Sequence, residues 1–419
     1  MKKTLIADFF TTVSFSQYVD SIKSITYRLN SLKKWKEIKI IENKLLHYLW
    51  LDESKIISFY NWRSALFHSL KMIWIKAGDE VIVSWYTCVT VSNTVIQSGW
   101  KIVYCDIEKK SLGLSIDDLI NKITNKTKVI IIQHTFWKPS NVSKIIKIAQ
   151  EKNILIIEDC AHSLWSEIKW KRLWSFWDFS IFSTWRDKVI SSVTWWFLVI
   201  NNSNYFKSKK KIENKLKFPS INLILKNHNY NIFWYEAYKL YDFLKIWRIE
   251  IFLLRKLWLI TEILTKSEKK CKYKDFNYKL PNSLAYLTIT QFKQLWKTIK
   301  HNIKLALYYN EWIKNKKISI LFKIKTSEIN NYFRYPILLK NSQETDLFYK
   351  YMRKNNILVW KSWSWINIAP LWTNLKNAKY KKSSCEIAEN IGERIVFLPN
   401  HKNIKKSEIE YIIKKINNY

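Results

Sequence analysis

From about residue 55 the chain alternates short apolar runs with segments whose apolar positions recur every three to four residues. "DEVIVSWYT", "KIVYCDI", "KVIIIQHT" and "ILIIEDCA" read as strands, and "VSNTVIQSGW", "SIDDLINKI" and "SKIIKIAQEKN" read as the helices between them. Near-continuous apolar strands separated by helices predict a mostly parallel sheet covered on both faces, an α/β architecture. In such sheets ligands bind at the carboxyl ends of the strands. Those ends carry Tyr86 and Thr87, Asp106, His134, and Asp159 with His162.

Beyond residue 200 the alternation gives way to a lysine-rich, apolar stretch of helical character reaching about residue 270. "NSLAYLTITQFKQLWKTIKHNIKLALYYNEWI" then predicts one long helix, followed by a mixed α/β tail. This divides the chain into a large domain at 1–270, with an insertion at about 205–270, and a smaller α/β domain at 271–419. The run "IEIFLLRKLWLITEIL" is broken by Arg255, Lys256 and Glu262, so no transmembrane segment is expected. The start "MKKTLIADFFTTVSFSQ" is interrupted by Asp8 and lacks a small-residue cleavage pattern, so no signal peptide is expected. Cys88, Cys105, Cys160, Cys271 and Cys385 are widely spaced with no C-x-x-C pair, which fits a cytoplasmic protein without a structural metal.

Composition changes the picture twice. A net charge of +37 favours polyanions in general, yet the cations are mostly lysine, dispersed among isoleucine, asparagine and tyrosine in the manner of an AT-rich genome. Specific nucleic-acid recognition more often uses clustered arginine, and only nine arginines are present. A basic protein that binds nucleic acid or a membrane surface is therefore an alternative class, recognisable by steep salt dependence. Glycine is the second anomaly: the chain has 4, against 23 tryptophans. The usual share of about 7% predicts roughly 29 glycines.

Lys188 follows the predicted strand "DFSIFS" and lies about thirty residues beyond Asp159. Pyridoxal phosphate chemistry needs a lysine to hold the cofactor, a carboxylate against the pyridine nitrogen, and a phosphate cradle at a helix N-terminus. "IIEDCAHS" offers the carboxylate at a strand end, and "YNWRSALFHSL" offers a polar turn opening a helix.

The order and wording of these segments resemble the DegT/DnrJ/StrS family of sugar aminotransferases, from about residue 45 to the C-terminus and leaving out the stretch near 205–270. The resemblance implies the type I fold of pyridoxal-phosphate enzymes: an α/β/α sandwich around a mostly parallel sheet, plus a smaller C-terminal domain. It implies that "NWRSAL" is the phosphate turn, with Asn61, Trp62 and Arg63 at its three positions and Ser64 behind them. "GDEVI" follows at 78–82, and "IEDCAH" places Asp159 on the pyridine nitrogen and His162 beside the ring. Ser183 matches a phosphate ligand and Lys188 the cofactor-holding lysine. Cys88 stands where an aromatic usually covers the ring, and Tyr86, on the same strand face by two-residue alternation, is the expected substitute. Arg63 replaces threonine and is expected to pair with the phosphate. In "FNYKLPNSLAYLTITQF", Asn277 takes the place of an asparagine that reaches the cofactor phosphate of a second copy in a homodimer, and Lys279 replaces arginine. "ERIVFLPNHKNI" resembles the family's C-terminal segment.

The family has glycine where this chain has Trp62, Trp74, Trp137, Trp165, Trp170, Trp174, Trp177, Trp195 and Trp196. Glycine reaches φ > 0 and lets backbone approach phosphate; tryptophan does neither cheaply. Several such replacements exceed the margin of about 5–15 kcal/mol that holds a domain folded. One cause covers them all: UGA codons that encode glycine in the source organism and are written here as tryptophan. Trp100, after the retained Gly99, and Trp363 and Trp365 are not assigned either way.

The resemblance implies an aminotransferase that converts a nucleotide-linked keto-sugar into an amino sugar for surface polysaccharide or glycoconjugate, with glutamate as the amino-acid donor. If the tryptophans are genuine, the expectation is an inactive homologue that binds a sugar nucleotide.

Overall fold

The structure, a computed structural model, describes all residues except 1–2, 8–12, 27–30, 35, 52–54, 169–170, 174–176, 187, 244–245, 263, 323, 325–329 and 362–373. Trp170, Trp174, Trp363 and Trp365 thus lie outside the described residues.

Seven strands form the central sheet: β1 (Ile56–Phe59), β2 (Glu80–Ser84), β3 (Lys101–Cys105), β4 (Thr127–Gln133), β5 (Leu155–Asp159), β6 (Phe179–Ser183) and β7 (Trp196–Ile200). Their order is β1-β7-β6-β5-β4-β2-β3. From β6 to β3 neighbours are parallel, whereas β7 runs antiparallel to both β6 and β1. Successive residues point to opposite faces: Val81, Val83, Val129 and Ile131 enter one apolar cluster, and Ile82, Ile130 and Ile132 another. Burial on both faces is why these strands read as unbroken apolar runs, and the α/β expectation holds.

Helices follow the strands as the pattern implies. Ser115 caps Ile116–Lys122 by accepting from the Asp118 N–H. The expected long helix is instead two, Asn282–Phe292 and Leu295–Trp312. Between them the Gln294 N–H turns back three residues to the Gln291 carbonyl at 2.9 Å, a tighter closure than the α-helical ladder allows. Asp106, just past the end of β3, is held by the C-terminal part of the chain: its carboxylate accepts from the Ile387 and Ala388 N–H groups at 2.9 and 2.8 Å, at the start of helix Glu386–Arg394.

A second, antiparallel sheet runs Ser319–Ile320, Tyr335–Leu338, Ile395–Leu398, Trp360–Lys361. Near it, Leu5–Ile6 pairs in parallel with Ile357–Leu358. The lysine-rich stretch forms helices Ser208–Lys215, Ile221–Lys239 and Ile246–Lys256, packed through Tyr230, Trp234, Ile251 and Leu254 against Val193. Among the described residues no helix is long and apolar enough to cross a membrane.

Four tryptophans among the described residues hold the left-handed backbone: Trp50 (φ 53), Trp137 (φ 80), Trp165 (φ 71) and Trp258 (φ 57). Trp137 and Trp165 are two of the family's glycine positions; Trp50 and Trp258 were not singled out from the sequence. Both end helices in the same manner. The Leu51 N–H bonds the Leu46 carbonyl at 2.9 Å and the Leu259 N–H bonds the Leu254 carbonyl at 2.9 Å, the six-to-one closure that favours glycine at the intervening residue. A side chain there costs about 1–2 kcal/mol.

Candidate active site

The carboxyl ends of β1, β5 and β6 bring the chemistry-bearing residues together. β1 leads into helix Trp62–Met72, whose N-terminus is capped by Asn61: its Oδ1 accepts from the Ser64 N–H and Oγ, both at 2.9 Å. β5 ends in Asp159, and the turn after β6 carries Lys188, whose N–H bonds the Trp185 carbonyl at 2.9 Å. Trp62, Arg63, Cys88, Asp159, His162 and Lys188 line one cavity.

Lys188 is 7% exposed, with Nζ 5.8 Å from the centre of the Phe333 ring. Burial pushes the Asp159 carboxyl up to about 6, opposed by the Ala161 N–H that it accepts at 3.0 Å and by the Lys188 charge. A carboxyl in that state is poised to take a cationic N–H. His162 lies parallel to Phe136 at 5.8 Å and accepts the Phe136 N–H on Nδ1 at 3.3 Å. Burial, aided by Lys188 and Arg334, holds its imidazole well below the usual range, so it is neutral.

Behind Asp159, His134 Nδ1 accepts the Ser140 N–H at 3.2 Å, which leaves Nε2 to donate to Glu158 Oε1 at 2.7 Å. Cys160 joins them within 4.8 Å. Hydrogen bonds engage both ring nitrogens, so neither offers a lone pair to a cation.

Arg63 pairs with Glu268, which is 1% exposed, and lies 5.2 Å from the centre of the Tyr273 ring. Its buried Nε has no hydrogen-bond partner among the described residues. A guanidinium with a donor to spare at a helix N-terminus suits a phosphate. The buried amine, the raised carboxyl and this N-terminus fit pyridoxal phosphate. Trp62 does not: its indole lines the same cavity as Asp159 and Lys188 and packs edge-on against Trp196, centres 6.0 Å apart.

Thr87 and Trp196 are also on the cavity wall, whereas Asn61, Ser64, Ser183, Tyr86 and Asn277 are not. Asn61 and Ser64 sit behind it in the cap. Ser183 accepts the Trp185 N–H at 3.0 Å. Tyr86 does not share a strand face with Cys88, because β2 ends at Ser84; it is fully buried, edge-on to Phe136 at 6.0 Å. Asn277 is exposed and faces His68. Sequence reasoning missed Gln133, a lone polar residue closing the apolar run of β4, which lines the cavity and accepts from the Thr87 hydroxyl at 2.5 Å. It also missed Glu268, whose T-x-x-E spacing announces a helix start and nothing more.

The DegT/DnrJ/EryC1/StrS aminotransferase family matches residues 20–215 and 262–417, so the unmatched stretch falls inside the insertion. GDP-perosamine synthase of Escherichia coli O157:H7 is 23% identical over 382 residues, covering 91% of this chain and 90% of that protein. An uncharacterized protein of Methanocaldococcus jannaschii is 26% identical over 363 residues, 86% of this chain and 84% of its own. Among solved structures, Helicobacter pylori PseC, an aminotransferase involved in the biosynthesis of pseudoaminic acid, shares the fold with a TM-score of 0.74 at 17% identity, covering 100% of this chain and 98% of that one. The chain belongs to the DegT/DnrJ/EryC1/StrS aminotransferase family.

Proposed function

We propose that this protein is a pyridoxal-phosphate-dependent aminotransferase that converts a nucleotide-linked keto-sugar into an amino sugar, with glutamate as amino donor. The observation that carries the reading is the meeting of Lys188 and Asp159 in one cavity beside the N-terminus of helix Trp62–Met72. The nucleotide-sugar product named in GDP-perosamine synthase supports the substrate class. The product is destined for surface polysaccharide or glycoconjugate, and the enzyme works in the cytoplasm as a homodimer. Asn277 lies exposed at the surface, where the resemblance puts a residue that reaches a second copy.

When bound, the cofactor supplies an aldehyde that carries the amino group and a ring that withdraws electrons. Lys188 Nζ would hold it, and the same amine would take and return the proton at the substrate carbon. The Asp159 carboxylate keeps the ring N–H protonated, and a cation beside it restores the carboxylate's charged form. Arg63 and the N-terminal amides of helix Trp62–Met72 hold the phosphate. His162, held neutral, would stand beside the cofactor without adding charge, and Lys188 is buried at 7% exposure.

We infer further that tryptophans at the family's glycine positions stand for UGA codons read as glycine in the source organism. Trp137 and Trp165 in left-handed backbone, two helix ends closed at Trp50 and Trp258, and Trp62 in the phosphate turn support this. The peptide from Val189 to Lys207, taken from the native source and weighed, is expected to carry two glycines at 195 and 196. Two tryptophans overturn the recoding.

A second reading follows from the Trp62 indole standing in the cavity that Asp159 and Lys188 line. With a genuine Trp62 the ring site is filled, and the protein binds a sugar nucleotide without catalysis. Protein made with glycine at the recoded positions, mixed with pyridoxal phosphate, separates the two. A bound visible absorbance band, and amination of a nucleotide-linked keto-sugar with glutamate, support the enzyme; no band overturns it.

A further inference from the structure

Residues 216–261, outside the family match, touch both segments that build the site. Arg186, two positions before Lys188, is 1% exposed. Its Nη1 donates to the Thr261 carbonyl at 3.1 Å, its Nη2 to the Thr261 hydroxyl, and its guanidinium lies 3.8 Å from the centre of the Tyr230 ring. Thr261 Oγ1 in turn donates to Asn227 Oδ1 at 3.3 Å, and Asn227 Nδ2 donates to the Tyr60 hydroxyl at 2.6 Å. Tyr60 immediately precedes Asn61, and its carbonyl accepts from the Thr194 hydroxyl. A continuous polar chain thus runs from the phosphate turn, through the insertion, to the loop that carries Lys188.

A buried guanidinium must be satisfied or it leaves the interior. Here a carbonyl and a hydroxyl of the insertion take its two Nη groups, and a ring face of the insertion covers the guanidinium. If the insertion swings away, Arg186 loses these partners and drags the Lys188 loop toward water. We propose that the insertion is a clamp: Arg186, held by Tyr230 and Thr261, is a positioning residue that fixes Lys188 against the phosphate turn, and cofactor occupancy and insertion docking stabilise each other. The coupling to cofactor rests on the proposed pyridoxal phosphate site. By linkage, the factor by which docking tightens cofactor binding equals the factor by which cofactor tightens docking.

The test uses the full chain made with glycine at the recoded positions, and in it the double variant Tyr230→Leu/Thr261→Val, neither residue being on the cavity wall. Without cofactor, amide hydrogen exchange at residues 184–192 and 60–64 is expected to rise about tenfold in the variant, and to stay unchanged at 395–398 in the other sheet. Tyr230→Phe keeps the ring face and is expected to behave as the parent, and Thr261→Val alone gives a milder form of the same change. With pyridoxal phosphate added, exchange at 221–256 slows in the parent and not in the double variant. The variant's cofactor dissociation constant rises about tenfold, and the pH midpoint of the bound visible band shifts. Unchanged exchange at 184–192 in the cofactor-free variant overturns the clamp, whether or not cofactor binds. A parent that takes up no pyridoxal phosphate overturns the coupling and the proposed function, while the cofactor-free result still decides the clamp.

Discussion

His134 donates through Nε2 to Glu158 Oε1 at 2.7 Å, with neither side chain exposed, and the backbone N–H of His134 bonds the Asp159 carbonyl at 3.3 Å. The pair props β4 against β5 where the site's carboxylate emerges. Glu158→Ala leaves a buried imidazole N–H without its acceptor, so the substitution is expected to cost about 3 kcal/mol. Urea denaturation reads it as a lower midpoint at unchanged slope. A loss below about 0.5 kcal/mol means that the pair does not support the sheet there.

Asp159 gives a pH signature in the cofactor-free protein. Its folded pKa of about 6 lies above the ordinary 3.8 because burial disfavours the charge. The stability it contributes is full below about 4 and is lost as pH rises through about 6, a swing of about 3 kcal/mol. Asp159→Asn removes that swing, so the variant is expected to match the parent most closely near pH 4 and to gain on it as the pH approaches 8. His162, held neutral, works in the opposite sense as pH falls through the ordinary 6.5, and it does so in both proteins. Thermal melts across that range decide the matter: a difference that does not vary with pH refutes the buried carboxyl.

Lys188→Ala removes the buried amine. The visible absorbance of protein-bound pyridoxal phosphate is expected to vanish while the protein stays folded. The same band surviving in the purified variant assigns the cofactor to another lysine.

Trp50 and Trp258 lie 79% and 73% exposed, so their indoles contribute little burial to offset a left-handed backbone. Trp50→Gly and Trp258→Gly are each expected to stabilise the protein by about 1 kcal/mol, a reversal of the usual cost of glycine. Melting temperatures of the two single variants test this, and a fall in both contradicts the cap assignment.

The central sheet was legible because burial on both faces writes itself as uninterrupted apolar runs, and the meeting of Asp159 and Lys188 in one cavity was expected because their segments resemble the family's. Tyr86 was misplaced on the strand face because "VIVSWYT" continues an apolar pattern past Ser84, where pairing stops. The single long helix misled for a similar reason: apolar periodicity runs through Lys293 and Gln294, and only the hydrogen-bond geometry breaks there. Arg186, Glu268 and Gln133 were out of reach. Their importance comes from contacts with residues that periodicity cannot locate, such as Thr261 for Arg186 and Arg63 for Glu268.

The parallel pairing of Leu5–Ile6 with Ile357–Leu358 has a consequence for synthesis. The first strand leaves the ribosome some 350 residues before its neighbour. At about 5–20 residues per second the wait is roughly 20–70 s. During that time a two-residue apolar edge has no sheet to join, and "TLIAD" must be kept from pairing elsewhere. Closing so long a loop comes late, since its entropy must be lost before the contact repays it. Leu5–Ile6 is therefore expected to join Ile357–Leu358 late, after the segments between them have folded.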